Sequence, residues 1–267
     1  MLSVSLGPLA LSISNVVLLV ALGLAMLIAR RCSLVKGSAP SDSLVFWLFA
    51  LAVLAARLAF VALYWAQYRL APWQVLDLRD GGFVPWAGIA VSGLAALGFG
   101  WRTPARRRAL ACGITAGLAL WLAGGLALGW QQARSSLPHP SLVDSAGAPA
   151  TLSRYKGQPL VVNLWATWCP PCRREMPVLV AAQKARPGVR FVYVNQGETP
   201  AMAATFLGTT GVTPTDVLYD TSGSLARAVG AMAYPTTLFY GPDGQLKGSH
   251  LGELSGASLE AALKVFE

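Results

Sequence analysis

Four long apolar runs fill the first half of the chain, at about Leu9–Ala29, Leu44–Ala66, Phe83–Trp101 and Ala109–Trp130. Each is close to the roughly 20 residues that a helix needs to cross the hydrocarbon core of a bilayer. The pattern therefore predicts four transmembrane helices. From Gln131 it changes. A polar, Pro-rich stretch, Ser135-Ser136-Leu137-Pro138-His139-Pro140, reads as a short linker. Shorter apolar runs then alternate with segments of helical period. They predict a small hairpin at Leu142–Leu152, a buried strand at Leu160–Ala166, and a helix entered through Cys169-Pro170-Pro171-Cys172 and kinked by Pro177. A strand at Arg190–Asn195 follows, then a helix with Thr199 as cap and Pro200 in its first position. A short strand at Val217–Tyr219, a small helix at Leu225–Val229, a strand opened by Tyr234-Pro235-Thr236-Thr237, a strand at Gln245–Leu251 and a helix at Ser258–Phe266 complete the chain. The organisation expected is a multi-pass α-helical membrane domain over 1–134, a linker over 135–140 and an α/β domain over 141–267.

Composition agrees with a membrane protein: 54% of the 267 residues are hydrophobic and only 12% charged. The net charge of +9 could suggest nucleic acid, but the basic residues gather as Arg30, Arg31 and Lys36, and as Arg102 and Arg106 to Arg108, each group beside an apolar run. That is the pattern of cytoplasmic loops, and no nucleic-acid partner is expected. The loop after the second run balances Arg69 and Arg79 with Asp77 and Asp80, and Arg134 stands alone after the fourth. By the positive-inside rule both termini face away from the cytoplasm. The first run lacks a basic n-region and carries Arg30 and Arg31 where a cleavage site needs small residues, so it is expected to stay as an anchor.

The chemistry lies where the buried strand meets the helix. At a helix start the dipole and the unpaired backbone N–H groups favour a thiolate, so Cys169 should be nucleophilic near neutral pH. Cys172, three residues on, shares its face and is near enough to form a disulfide with it and to resolve a mixed disulfide. A structural zinc site would need two more ligands from His139, His250, Cys32 and Cys112, the last two in another part of the chain, and no metal or other cofactor is expected.

The run Asn163-Leu164-Trp165-Ala166-Thr167-Trp168-Cys169-Pro170-Pro171-Cys172-Arg173-Arg174-Glu175-Met176-Pro177 resembles the active-site signature of the TlpA/ResA group of thioredoxin-fold thiol–disulfide oxidoreductases. The resemblance extends from Ser141 to the C-terminus. It implies a thioredoxin fold, a redox-active Cys169/Cys172 pair, and a proton-handling role for Glu175. It also implies a cis peptide before Pro235 and a substrate surface made of Trp168, Pro170, Pro171, Tyr234 and Pro235. Asn163 stands where ordinary thioredoxins keep a buried acid, and Thr236 stands where the cytochrome c maturation branch carries Glu. The resemblance further implies a protein of the bacterial inner membrane with its thiol domain in the periplasm. Its partners would be disulfide-bearing envelope proteins and a membrane electron donor resembling DsbD or CcdA. Reduction of substrate disulfides is the expected direction. Thiol oxidation by the same pair is the alternative, as is a Cu(I) carrier that adds His250.

Arg57 stands in the middle of the second run, a depth at which a charge usually faces a bundle interior or a polar ligand. Lipid phosphate, Asp77, Asp80 and backbone carbonyls are its candidate partners. The stretch from Ala55-Ala56-Arg57 through Asp80-Gly81-Gly82-Phe83-Val84-Pro85-Trp86-Ala87-Gly88 resembles the front half of prolipoprotein diacylglyceryl transferases. It departs where that family has His-Gly-Gly, since Trp86-Ala87-Gly88 stands there, and no His precedes His139. A degenerate lipid-binding or anchoring module is the expectation. Cys32 and Cys112 read as small apolar residues at cytoplasmic helix ends.

Overall fold

The computed structural model describes residues 3–6, 9–35, 40–69 and 72–267. Lys36 of the first basic group lies outside the described residues. The chain divides into two compact units, one made of residues 14–77 and 82–128, the other of residues 1–13, 78–81 and 129–267.

A hairpin of β1 (Ser3–Leu6) and β2 (Leu9–Ser12) opens the chain, followed by α1 (Ile13–Val35). The first apolar run thus begins as strand, not helix. Ser3-Val4-Ser5-Leu6 alternates polar and apolar with the period of two of a strand, and it pairs antiparallel with Leu9–Ser12. Next come α2 (Asp42–Leu63), a single turn α3 (Trp65–Tyr68), α4 (Pro85–Arg102) and α5 (Pro104–Ala133). Among the described residues α1, α2 and α5 are long and apolar enough to cross a membrane. The third apolar run forms α4, of 18 residues, a little under the roughly 20 that a perpendicular crossing takes. Small residues let these helices approach closely, as in membrane bundles generally. A Cβ added at Gly88 of α4 would lie 2.5 Å from Ala52 O of α2, and one at Gly113 of α5 would lie 2.6 Å from Ala25 O of α1.

The second unit carries β3 (Leu142–Val143), β4 (Pro149–Ala150), β5 (Leu160–Trp165), α6 (Pro170–Ala185), β6 (Arg190–Gln196), α7 (Pro200–Thr210), β7 (Asp216–Asp220), α8 (Ser224–Val229), β8 (Thr236–Tyr240), β9 (Leu246–Leu251) and α9 (Gly256–Leu263). The strands form one sheet in the order β4-β3-β7-β6-β5-β8-β9. β5, β6 and β7 are parallel, and β8 and β9 are antiparallel to their neighbours. Every residue of β5 is buried, which is why its sequence reads as a near-continuous apolar run.

Alternation divides the core between the two faces of the sheet. Leu160, Val162 and Leu164 pack with Val192, Val194 and Leu238 on one side. Val161 and Trp165 pack with Phe191, Met176 and Leu259 on the other, the side covered by α6 and α9. That second face also carries a polar row. Asn163 is in register with Tyr193 on β6 and Thr237 on β8, and Thr237 is in register with His250 on β9. The row passes beneath the start of α6.

Candidate active site

β5 hands the chain to Ala166-Thr167-Trp168, and Cys169 then caps α6. Pro170 and Pro171 occupy the first two helical positions and bring no N–H. The first helical donor that can reach a cap side chain is therefore Cys172 N, which donates to Cys169 Sγ at 3.3 Å. The two cysteines are joined as a disulfide with a Cα–Cα distance of 5.3 Å. Cys169 is 3% exposed and Cys172 fully buried, so the outer sulfur is the one a partner reaches first. α6 runs on through Pro177.

Around the sulfurs, Trp168 is 66% exposed and meets the ring of Tyr234 edge-on at 6.1 Å. Pro170 is exposed and Pro171 half-buried. The Tyr234–Pro235 peptide is cis, and Pro235 O accepts from Gly252 N at 2.9 Å. Trp168, Tyr234 and Pro235 thus share one rim, with the disulfide beside it.

Glu175 lies on the inner side of α6 and is 1% exposed. Its Oε1 accepts from Asn163 Nδ2 at 2.7 Å and its Oε2 from Leu254 N at 3.0 Å. Burial pushes its pKa up to about 8, against the pull of the Leu254 N–H and the Asn163 amide, with Glu253 adding repulsion. The carboxyl thus holds its proton well above the ordinary carboxylate range. Asn163 Nδ2 is shared with Thr237 Oγ1 at 3.0 Å. Asn163 Oδ1, Tyr193 OH, Trp165 Nε1 and His250 Nε2 are buried without a hydrogen-bond partner among the described residues. Burial lowers the pKa of His250, partly offset by the Glu253 backbone. Among the described residues no three His, Cys, Asp or Glu side chains converge on a common point.

One site residue escapes sequence reasoning. Glu198 is buried in the turn after β6, entered through Gly197 at φ +74°. Its carboxylate accepts from Thr167 N at 2.8 Å, from Asn195 Nδ2 at 2.7 Å, and from Thr167 Oγ1. It therefore holds the residue two before Cys169. The signal that could have found it is an acid just past a buried strand parallel to β5, whose C-terminal end lies beside that of β5.

In the helical unit, Arg57 is 4% exposed. Its guanidinium donates to the carbonyls of Gln74, Val75, Asp77 and Gly82 at 2.9 to 3.1 Å and stands 5.3 Å over the ring of Tyr68. Of its candidate partners, backbone carbonyls take these donors. Cys32 on α1 is half-buried and Cys112 on α5 is exposed.

Comparison with known proteins accounts for both halves. Residues 132–263 match the family model Redoxin, and residues 2–129 match the model for prolipoprotein diacylglyceryl transferase. The thiol:disulfide interchange protein DsbE of Tatumella citrea is 32% identical over 157 residues, covering 52% of this chain and 84% of that protein. The chain belongs to the ResA/DsbE-like thiol-disulfide oxidoreductases. The thiol-disulfide oxidoreductase ResA of Bacillus subtilis is 33% identical over 114 residues, 42% of this chain, and the match spans 63% of the ResA length. A solved thiol:disulfide interchange protein of the thioredoxin family from Chlorobium tepidum is 30% identical, with a TM-score of 0.42, covering 49% of this chain and 95% of that one. This oxidoreductase joins a half that matches Redoxin to an N-terminal half that matches prolipoprotein diacylglyceryl transferase, with Trp86-Ala87-Gly88 where the expected His-Gly-Gly would stand.

Proposed function

We propose that the chain is a membrane-anchored thiol–disulfide oxidoreductase that reduces disulfides of envelope proteins through Cys169 and Cys172. The observation that carries this reading is the placement of the pair: a more accessible sulfur at the cap of α6 that receives the first available helix N–H, and a buried sulfur one turn on. That N–H stabilises negative charge on Cys169.

In the reduced protein the Cys169 thiolate attacks one sulfur of a substrate disulfide. A Cys169–substrate bond forms, and the other substrate sulfur leaves with the electron pair and takes a proton. The Cys172 thiol then gives its proton to the Glu175 carboxylate, and its sulfur displaces the substrate from Cys169. The products are a reduced substrate dithiol and the Cys169–Cys172 disulfide. Tyr234 and Pro235 offer backbone on which a substrate segment can lie as an added strand, with Trp168, Pro170 and Pro171 as its rim. The thiol domain begins at about Ser141 in this reading and lies in the periplasm, tethered by four membrane spans. Electrons arrive from a membrane donor resembling DsbD or CcdA. The carbonyls around Arg57 favour a structural tether over a lipid site.

Thiol trapping in cells, combined with the reduction potential of the full chain in detergent, tests this. A mostly reduced pair with a potential near about −270 mV supports the reductase. A mostly oxidised pair nearer about −120 mV reverses the direction and makes the protein an oxidant of new thiols.

A further inference from the structure

Three consecutive residues between β9 and α9 each hold a different part of the site. Gly252 N donates to Pro235 O at 2.9 Å. The Glu253 carboxylate takes Arg174 of α6, with Nε at 2.9 and 3.1 Å and Nη2 at 2.5 Å. Leu254 N donates to Glu175 Oε2 at 3.0 Å. Gly252 has φ +107°, a conformation that residues with a side chain rarely adopt. Leu254 is buried against the α6 and α9 core. The loop is pinned at both ends and in the middle, and only one residue separates the donor at Pro235 from the donor at Glu175.

We propose that Gly252–Leu254 is a coupling loop that ties peptide docking at Tyr234–Pro235 to the carboxylate of Glu175. The inference rests on the exchange reaction above and extends it. A peptide laid along Tyr234–Pro235 as an added strand fixes the Pro235 carbonyl. Through two peptide units it also fixes the Leu254 N–H against Glu175. A hydrogen bond donated to a carboxylate favours its ionised form, so a docked peptide prepares Glu175 to receive the Cys172 proton. A small disulfide that cannot form a strand leaves the loop as it is. The other titratable groups facing Glu175 are Glu253 on the loop and Tyr193 on β6, with the thiol of Cys172 on α6 once reduced. His250 stands on β9, two residues before the loop. Gly252 and Glu253 are positioning residues in this scheme, since neither touches the reacting atoms.

The test uses the reduced full-length protein in detergent. The rate of disulfide reduction is followed against pH with two probes, a peptide closed by one internal disulfide and hydroxyethyl disulfide. In the unaltered protein the profile for the peptide should lie about one pH unit below that for the small disulfide. Gly252→Ala should bring the two profiles together while leaving the small-disulfide rate within about twofold, because the mechanism assigns it no part in the sulfur chemistry. Glu253→Gln, which weakens the loop's hold on Arg174 without straining Gly252, should narrow the gap and decides the matter if Gly252→Ala does not fold. Coincident profiles in the unaltered protein, or a gap that survives in both folded variants, overturn the coupling while leaving the exchange reaction intact. Failure of the unaltered protein to reduce either probe overturns the exchange reading itself, and the coupling with it.

Discussion

Glu175 shows what burial does to one side chain. With its pKa held near 8 in the fold, against an ordinary value of 4.5, it keeps its proton in the native state over a range where the unfolded chain has lost it. The native state then binds more protons than the unfolded one, so this group's contribution to stability falls as pH rises from about 4.5 to about 8. Glu175→Gln should remove that slope, and thermal unfolding of the oxidised full chain at a series of pH values would show it. Parallel curves for the two proteins would refute the assignment. Asn163 suits either protonation state, because its Oδ1 has no partner among the described residues and turning the amide over would offer an acceptor to a protonated Glu175. Glu198 acts differently, through the chain it holds. Glu198→Ala strips partners from Thr167 N and Asn195 Nδ2, which should cost about 1 to 3 kcal/mol. It should also change the alkylation rate of reduced Cys169, whereas an unchanged rate would confine Glu198 to stability.

Among the elements, α2 and the loop after it behave as one piece because Arg57 gathers the carbonyls of Gln74, Val75, Asp77 and Gly82. Arg57→Leu should leave those carbonyls without a cation and raise amide hydrogen exchange through the segment from 72 to 82. Unchanged exchange there would mean that the loop is held by something else. The close contact of α4 with α2 gives a second, paired prediction. Gly88→Ala drives a Cβ into Ala52 O, while an added Cβ at Gly93 meets nothing within 4 Å among the described residues. The first substitution should lower the melting temperature of the full chain by several degrees, and the second should leave it unchanged or raise it. Local signals made many elements readable from sequence. Thr199 before Pro200, the near-continuous apolar run of β5 and the Cys169-Pro170-Pro171-Cys172 entry to α6 all carry their reasons within a few residues. The hairpin β1–β2 was hidden because Leu9–Ser12 merges with the apolar helix that follows. Glu198 and the donors to Glu175 were hidden because they depend on which strand ends lie side by side, and spacing along the chain does not contain that.

For the whole molecule, the two halves follow different solvent rules, and each half left its own mark on the sequence. The membrane half was legible in run length, and among the described residues α1, α2 and α5 have the length and apolarity to span. Which side each loop occupies is a matter for chemistry on intact cells. After mild reduction, a membrane-impermeant maleimide should label Cys169, the outer of the pair, but leave Cys32 and Cys112 unlabelled until the membrane is opened. Labelling of Cys112 from outside would invert the topology. The near-complete burial of both sulfurs then takes on a meaning for traffic among thiols. Small thiols such as glutathione collide with everything, and a disulfide open to them would leak electrons to whichever reached it first. On the proposed reading a partner approaches past Trp168 and Tyr234, so exchange should be fastest for one with enough surface to settle on that rim. In kinetic terms the pair is then an insulated contact, one that should conduct fast when a partner is seated and only slowly in a solution of strangers.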